Sequence, residues 1–316
     1  MAWHFKNPAK SCMIATACLF SVLASTGVQA QTPDAPPTMT WTVPPFAPAF
    51  ITDGDALTGY AADTQNWFAA LMPGYHHSVL QVPLARLLAE MKNGEGDLRC
   101  STTLIPTPER QEYIVFAKTI LLHLPISAIV RARDTELFDP YLDGEGHLVL
   151  SQMLADSDLT TAVRIGRAYG TLVDNYLDVN RESPQVMEVA DDTKFLRMLS
   201  LDRIDWTLFF PSEAEFYRRD QTPDLEIKAI PIAGNTTLLE ATIGCADTPA
   251  GQKAIAEINA IIEQYPSMPW TEFYAEWLSP PDREWFNAAK SQYINSDQFE
   301  ARLEYRPAAI GTNTQE

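Results

Sequence analysis

The sequence is short of the residues that most often carry chemistry. Its 316 residues include only four cysteines and five histidines. No Gly-x-Ser-x-Gly elbow, His-Glu-x-x-His pair, phosphate loop or dinucleotide fingerprint occurs in it. Basic side chains are outnumbered, 23 against 41 acidic ones, so the basic surface that nucleic acid requires is missing. Beyond residue 30, no apolar run approaches the roughly 18 residues that a membrane helix needs. His76 and His77 are neighbours, and successive strand residues point to opposite faces, so they do not share a metal. No metal, cofactor or catalytic residue is expected. Carboxylate pairs of the glycoside-cleaving kind stay open, because Asp and Glu are spread throughout.

What is present begins with an export signal. Lys6 and Lys10 precede the apolar run Met13 to Ala24, which is too short to cross a bilayer, and Val28-Gln29-Ala30 has the small residues of a cleavage site. Cleavage after Ala30 and a periplasmic location are expected. Cys12 and Cys18 leave with that segment, and Cys100 and Cys245 remain. An even pair in an oxidising compartment suits a disulfide, and two separate buried thiols are the alternative. The remaining chain carries a net charge near −20, which keeps an exported protein dispersed.

Along the chain, strands and helices alternate. Met39 to Val43 reads as a first strand, closed by Pro44-Pro45 and the aromatic loop Phe46 to Phe50. Trp67, Phe68 and Leu71 have the spacing of an inward helical face. Ser78 to Val82 is a strand, and Leu84 to Met91 an amphipathic helix. The stretch Gly94 to Ile120 organises the rest. A strand, Asp97 to Thr103, runs into the hydroxyls Ser101, Thr102 and Thr103; prolines at 106 and 108 break it, and Arg110 sits on the turn. A guanidinium beside hydroxyls suits a small carboxylate; pairing with Glu109 or Glu112 is the competing assignment.

Pro125 to Arg131 and Leu225 to Ile232 are apolar strands suited to crossing between two bodies. Between them, Asp134 to Gly146 is acidic and turn-rich. Strands follow at Thr161 to Ile165, Pro184 to Val189 and Arg203 to Phe210. Gly166-Arg167-Ala168-Tyr169-Gly170-Thr171 opens a helix whose backbone N–H groups can meet an anion. Thr236 to Cys245 is the last strand, and Gly251 to Glu263 a helix with one apolar face. Residues beyond about 291 look polar and loosely held.

Several of these pieces resemble periplasmic solute-binding proteins of the amino-acid-binding type, extracellular family 3. Asp97, the hydroxyls, Thr107-Pro108-Glu109-Arg110 and Phe116-Ala117-Lys118 are similar to that family's "D…T-x-x-R…F-S-x-P" signature. Gly59 to Asp63, Gly166 to Thr171 and Arg203-Ile204-Asp205 resemble further family segments. Where the family places an aspartate for the α-ammonium, this chain has Phe210-Pro211-Ser212.

The resemblance implies a two-lobed α/β, type 2 periplasmic-binding-protein fold with two crossover strands as hinge. Lobe I would comprise 31–125 plus 233–290, lobe II 126–232, and a tail 291–316. It implies a site in which Arg110 grips a carboxylate. Ser101, Thr102, Thr103, Phe46 and Phe50 would join it from lobe I, and Tyr169, Gly170, Thr171 and Ser212 from lobe II, with Arg167 on the rim. It also brings the last strand beside Cys100 and so implies a Cys100–Cys245 disulfide. The expected activity is hinge closure of a monomer on a small solute for an ABC-type permease. A sensory or accessory subunit docking to a partner protein is the alternative, and a hydrolase with an unrecognised site a third.

Overall fold

A computed structural model describes residues 35–54, 56–94, 98–156 and 158–296. The signal segment, Asp97 and the tail from 297 onward lie outside the described residues. The chain from Pro36 forms one compact unit.

The first strand, β1 (Thr38–Val43), carries Met39, Trp41 and Val43 wholly inside. The hairpin β2 (Ile51–Asp53) and β3 (Ala56–Thr58) leads to α1 (Tyr60–Ala70), then β4 (His76–Gln81), α2 (Leu84–Lys92) and β5 (Leu98–Leu104). After β6 (Ile114–Phe116) and β7 (Leu121–His123) the chain enters β8 (Ser127–Arg131). It continues through α3 (Leu150–Asp156), β9 (Thr161–Arg164), α4 (Thr171–Asn180), β10 (Val186–Val189), α5 (Phe195–Ser200), β11 (Trp206–Phe209), α6 (Pro211–Gln221) and β12 (Ile227–Pro231). It ends with β13 (Leu239–Ala246), α7 (Pro249–Gln264), α8 (Glu272–Ala275) and α9 (Pro280–Ile294).

Two mixed sheets result. The first has the order β4-β1-β5-β13-β6, with β7 also on β13; β4, β1 and β5 are parallel, and β13 runs against its neighbours. The second has the order β10-β9-β11-β8-β12, with β10, β9 and β11 parallel and β8 antiparallel to both its partners. Helices cover both sheets because their strands are apolar on both faces. Trp41, Phe68, Trp270 and Tyr274 fill the first core, and Trp206 and Phe138 the second. The chain leaves the first sheet after β7 and returns after β12. These crossings lie side by side, with Ser127 opposite Pro231 and Asn235 Nδ2 donating to the Ile126 carbonyl at 2.9 Å. Two such paired ribbons make a hinge.

Several expectations need correction. His76 and His77 belong to β4 rather than preceding it. His77 is tied at both nitrogens: Trp41 Nε1 donates to its Nδ1 (3.1 Å), and its Nε2 meets the Met72 carbonyl (3.0 Å). Residues 132–141 form 3-10 turns that bury Phe138, not a loose loop. Leu71 ends α1 and is 40% exposed. Residues 291–294, assigned to the tail, continue α9, which Ser279 caps by accepting the Asp282 N–H.

Candidate functional site: the strand ends of the two sheets

Parallel strands that end together expose loops and helix N-termini to one crevice, the usual ligand position in open α/β sheets. In the first sheet those ends are Val43, Gln81 and Leu104. The loop after β5 carries Arg110 into a 3-10 turn, with Thr107 Oγ1 accepting the Arg110 N–H at 3.3 Å. The guanidinium curls back, and its Nη1 donates to the Ile105 carbonyl at 3.0 Å. Neither Glu109 nor Glu112 pairs with it; among the described residues its one side-chain bond goes to that neutral oxygen.

The hydroxyls expected beside Arg110 are placed differently. Ser101 and Thr102 are 0% exposed, because β5 is flanked by β1 and β13 and covered on both faces. Their hydroxyls lack a hydrogen-bond partner there. Thr103, half-buried near the strand end, is the hydroxyl that can reach a solute. Phe46 is 47% exposed on the proline-rich loop, whereas Phe50 is 2% exposed and packs in the first core, so only Phe46 can line a crevice. Gly59 admits this arrangement. A Cβ there would lie 2.3 Å from the Pro48 carbonyl oxygen, and its φ of +108° suits glycine.

In the second sheet the loop from β9 to α4 holds three expected residues. Tyr169 is buried, and its hydroxyl accepts the Arg164 N–H at 2.8 Å. It thus pins the loop, with its ring in the second core. Gly170, at φ +100°, caps α4 and is exposed with Thr171. Asp174, in the first turn, accepts the Tyr169 N–H at 2.8 Å and lends its own negative charge to this helix end. Ser212, at the start of α6, is buried and bonded to the Tyr274 hydroxyl, which spends it on the protein rather than on a ligand.

Arg167, expected on the rim, is instead the centre of this end. Its Nη1 donates to Asp192 at 2.8 Å and its Nη2 to Glu213 at 2.6 Å. The rings of Tyr169, Phe209 and Phe210 lie 5.4, 5.5 and 5.9 Å from it, at cation–π distance. Burial raises the Glu213 pKa even against Arg167's opposing pull, and it raises the Tyr217 phenol to about 12. A recess of about 360 Å³ runs beneath this loop, bordered by Arg164, Arg167, Tyr169, Asp174 and Arg181.

Near the hinge stands an aromatic group that the sequence did not single out. His123 meets the rings of Tyr60 and Tyr274 edge-on at 5.3 and 5.0 Å, and the Tyr274 hydroxyl accepts the Leu124 N–H at 3.0 Å. Enclosure lowers the His123 pKa to about 4. Beside it, α6 docks on the turn between α8 and α9. Phe216 packs against Trp277 at 6.0 Å, and Arg219 reaches the Glu276 carbonyl at 3.4 Å.

The topology of the two sheets recurs in solved structures. The GluR0 ligand-binding core in complex with L-glutamate is 18% identical, matching 78% of this chain and 100% of its own, with a TM-score of 0.52. A probable amino-acid ABC transporter extracellular-binding protein from Bacillus subtilis is 14% identical over 77% of this chain and 98% of its own, with a TM-score of 0.55. The fold is that of the two-lobed periplasmic binding proteins. The L-cystine solute receptor of Neisseria gonorrhoeae, in its unliganded open conformation, shares it at 16% identity over 72% of this chain and 86% of its own (TM-score 0.52). No protein-family model matches the sequence, and no curated protein matches it. The binding-protein architecture therefore rests on shape. Its crossover strands, strand order and Cys100–Cys245 disulfide between β5 and β13 all follow from the coordinates.

Proposed function

We propose that this chain is an exported, periplasmic binding protein, cleaved after Ala30, that closes as a monomer on a small carboxylate-bearing solute and presents it to an ABC-type permease. It is read as a binder and not an enzyme. One contrast carries the proposal. Arg167 is paired with two acids, whereas Arg110, at the matching end of the other sheet, meets only a neutral carbonyl. A guanidinium with spare donors takes a carboxylate in two parallel hydrogen bonds. Thr103 and Phe46 would complete the first half of the site, and Gly170 and Thr171 at the α4 N-terminus the second. Ligand bridging both halves favours the closed state by its differential affinity.

Native mass spectrometry of freshly purified protein should reveal a retained small acid. Its absence, together with no ligand-dependent rise in melting temperature across a panel of carboxylates, would remove this reading. A sensory or accessory subunit is the second reading. Ile165, Val179 and Met187 favour it, at 57%, 86% and 48% exposed on the loop between β9 and α4, on α4 and on β10. Stable co-purification of one larger protein would support it.

A further inference from the structure

Among the described residues, four acidic side chains at the strand ends of the second sheet each have a partner. Asp174 takes the Tyr169 N–H, and Asp191 takes Thr193 and Lys194. Asp192 takes Arg167 at 2.8 Å and Arg164 at 3.3 Å, and Glu213 takes Arg167 at 2.6 Å. A ligand ammonium entering this end would need a carboxylate with free lone pairs in a desolvated place. The chain's own guanidinium already fills that place, bridging the buried Asp192 and the half-buried Glu213 and lying among three rings. Arg164 and Arg167 balance Asp192 and Glu213 in charge. On the first sheet Arg110 adds one positive charge that no described carboxylate offsets.

We infer that the solute is a carboxylate without an ammonium group, such as a plain, hydroxy or keto acid, because Arg167 occupies the cation seat that a zwitterion would use. This rests on the binding-protein reading and narrows its ligand class. The pairing supports it, since displacing Arg167 would leave the buried Asp192 and its neighbour Glu213 without that guanidinium.

Two experiments on the full mature protein test it, with melting temperature as the readout. Matched acids form the first: glutarate against glutamate, lactate against alanine, and 3-phenylpropionate against phenylalanine. In at least one pair the member without nitrogen should act at a tenfold lower concentration than its amino counterpart. An amino acid acting as well as its partner, or better, overturns the inference. The second uses methylammonium chloride against sodium chloride at equal ionic strength. Arg167→Met uncovers two acids inside an aromatic wall and should respond at tenfold lower methylammonium than wild type. Arg167→Lys, whose single ammonium cannot span both acids, is the milder variant and should respond in between. Equal responses in wild type and variants overturn the inference. If no acid stabilises any protein but methylammonium acts on the variants alone, the proposed function falls and the assignment of the cation seat stands.

Discussion

The Arg167 guanidinium lies 2.6 Å from the Glu213 carboxylate and bridges it to Asp192, 25 residues away in sequence. Removing one partner of a buried ion pair leaves an uncompensated charge, which costs about 3–5 kcal/mol. Urea unfolding of Arg167→Met should show a loss of that size. Arg181→Ala, which removes exposed pairs with Asp178 and Glu188, should cost about 1 kcal/mol or less. Equal losses would show that the Arg167 bridge is no more than a surface contact.

Arg110 makes the opposite prediction. Its side chain holds one carbonyl on its own loop and packs in neither core. Arg110→Ala should leave unfolding stability within about 0.5 kcal/mol of wild type. The ligand-dependent rise in melting temperature should vanish. A stable variant that still responds to the same acids would move the site elsewhere.

The enclosed imidazole of His123 links stability to pH. Folded, it stays neutral down to about pH 4; unfolded, it takes a proton near 6.5. The unfolded chain therefore binds the extra proton first, and stability falls as pH drops from 6.5 to 4, by up to ~3 kcal/mol. His123→Phe should flatten the urea midpoint over that window. An unchanged slope would mean that the ring is hydrated in solution.

Asp282 acts with the opposite sign. Burial, with the nearby Glu215 charge from α6, raises its pKa from 3.8 to about 6 against the Ser279 hydrogen bond. The unfolded chain loses this proton first, so stability falls as pH rises through 3.8 to 6. Asp282→Asn should be more stable than wild type by about 1–3 kcal/mol at pH 7.5 and no different at pH 3.5. Urea titrations at both values check it. The two groups partly offset each other between pH 4 and 6, so each variant is compared with wild type at every pH.

Cys100 and Cys245 are directly opposed on β5 and β13, both 0% exposed, at a sequence separation of 145. Cross-linking so long a loop restricts the unfolded chain by about 4–5 kcal/mol. Replacing both cysteines with alanine should lower stability by roughly 3–5 kcal/mol, measured by urea unfolding. A loss under about 1 kcal/mol would show that the sheet alone fixes this register.

Much of the architecture was legible in the sequence because alternation and apolar runs mark elements directly. Thr161 to Arg164 and the helix from Leu84 fall within a residue or so of their expected bounds. The hairpin of β2 and β3, the three-residue β7 and the short α3 were missed, being too brief to show a period. The site was less legible, for a physical reason. Whether Ser101 and Thr102 face solvent depends on β13, which arrives some 140 residues later and closes over β5. Arg167 could be placed at the loop. Its partners, 25 and 46 residues downstream, are brought to it only by parallel pairing of β10 and β11 with β9.

The position of β13 between β5 and β6 also constrains the order of assembly. As the ribosome works from the N-terminus, β8 to β12 emerge complete and can assemble their own five-stranded layer. Meanwhile β1, β4 and β5 wait beside an empty slot, with β6 unable to join them until the last third of the chain is made. A released chain ending at residue 238 should therefore yield a protease-resistant central fragment while its N-terminal strands are still digested.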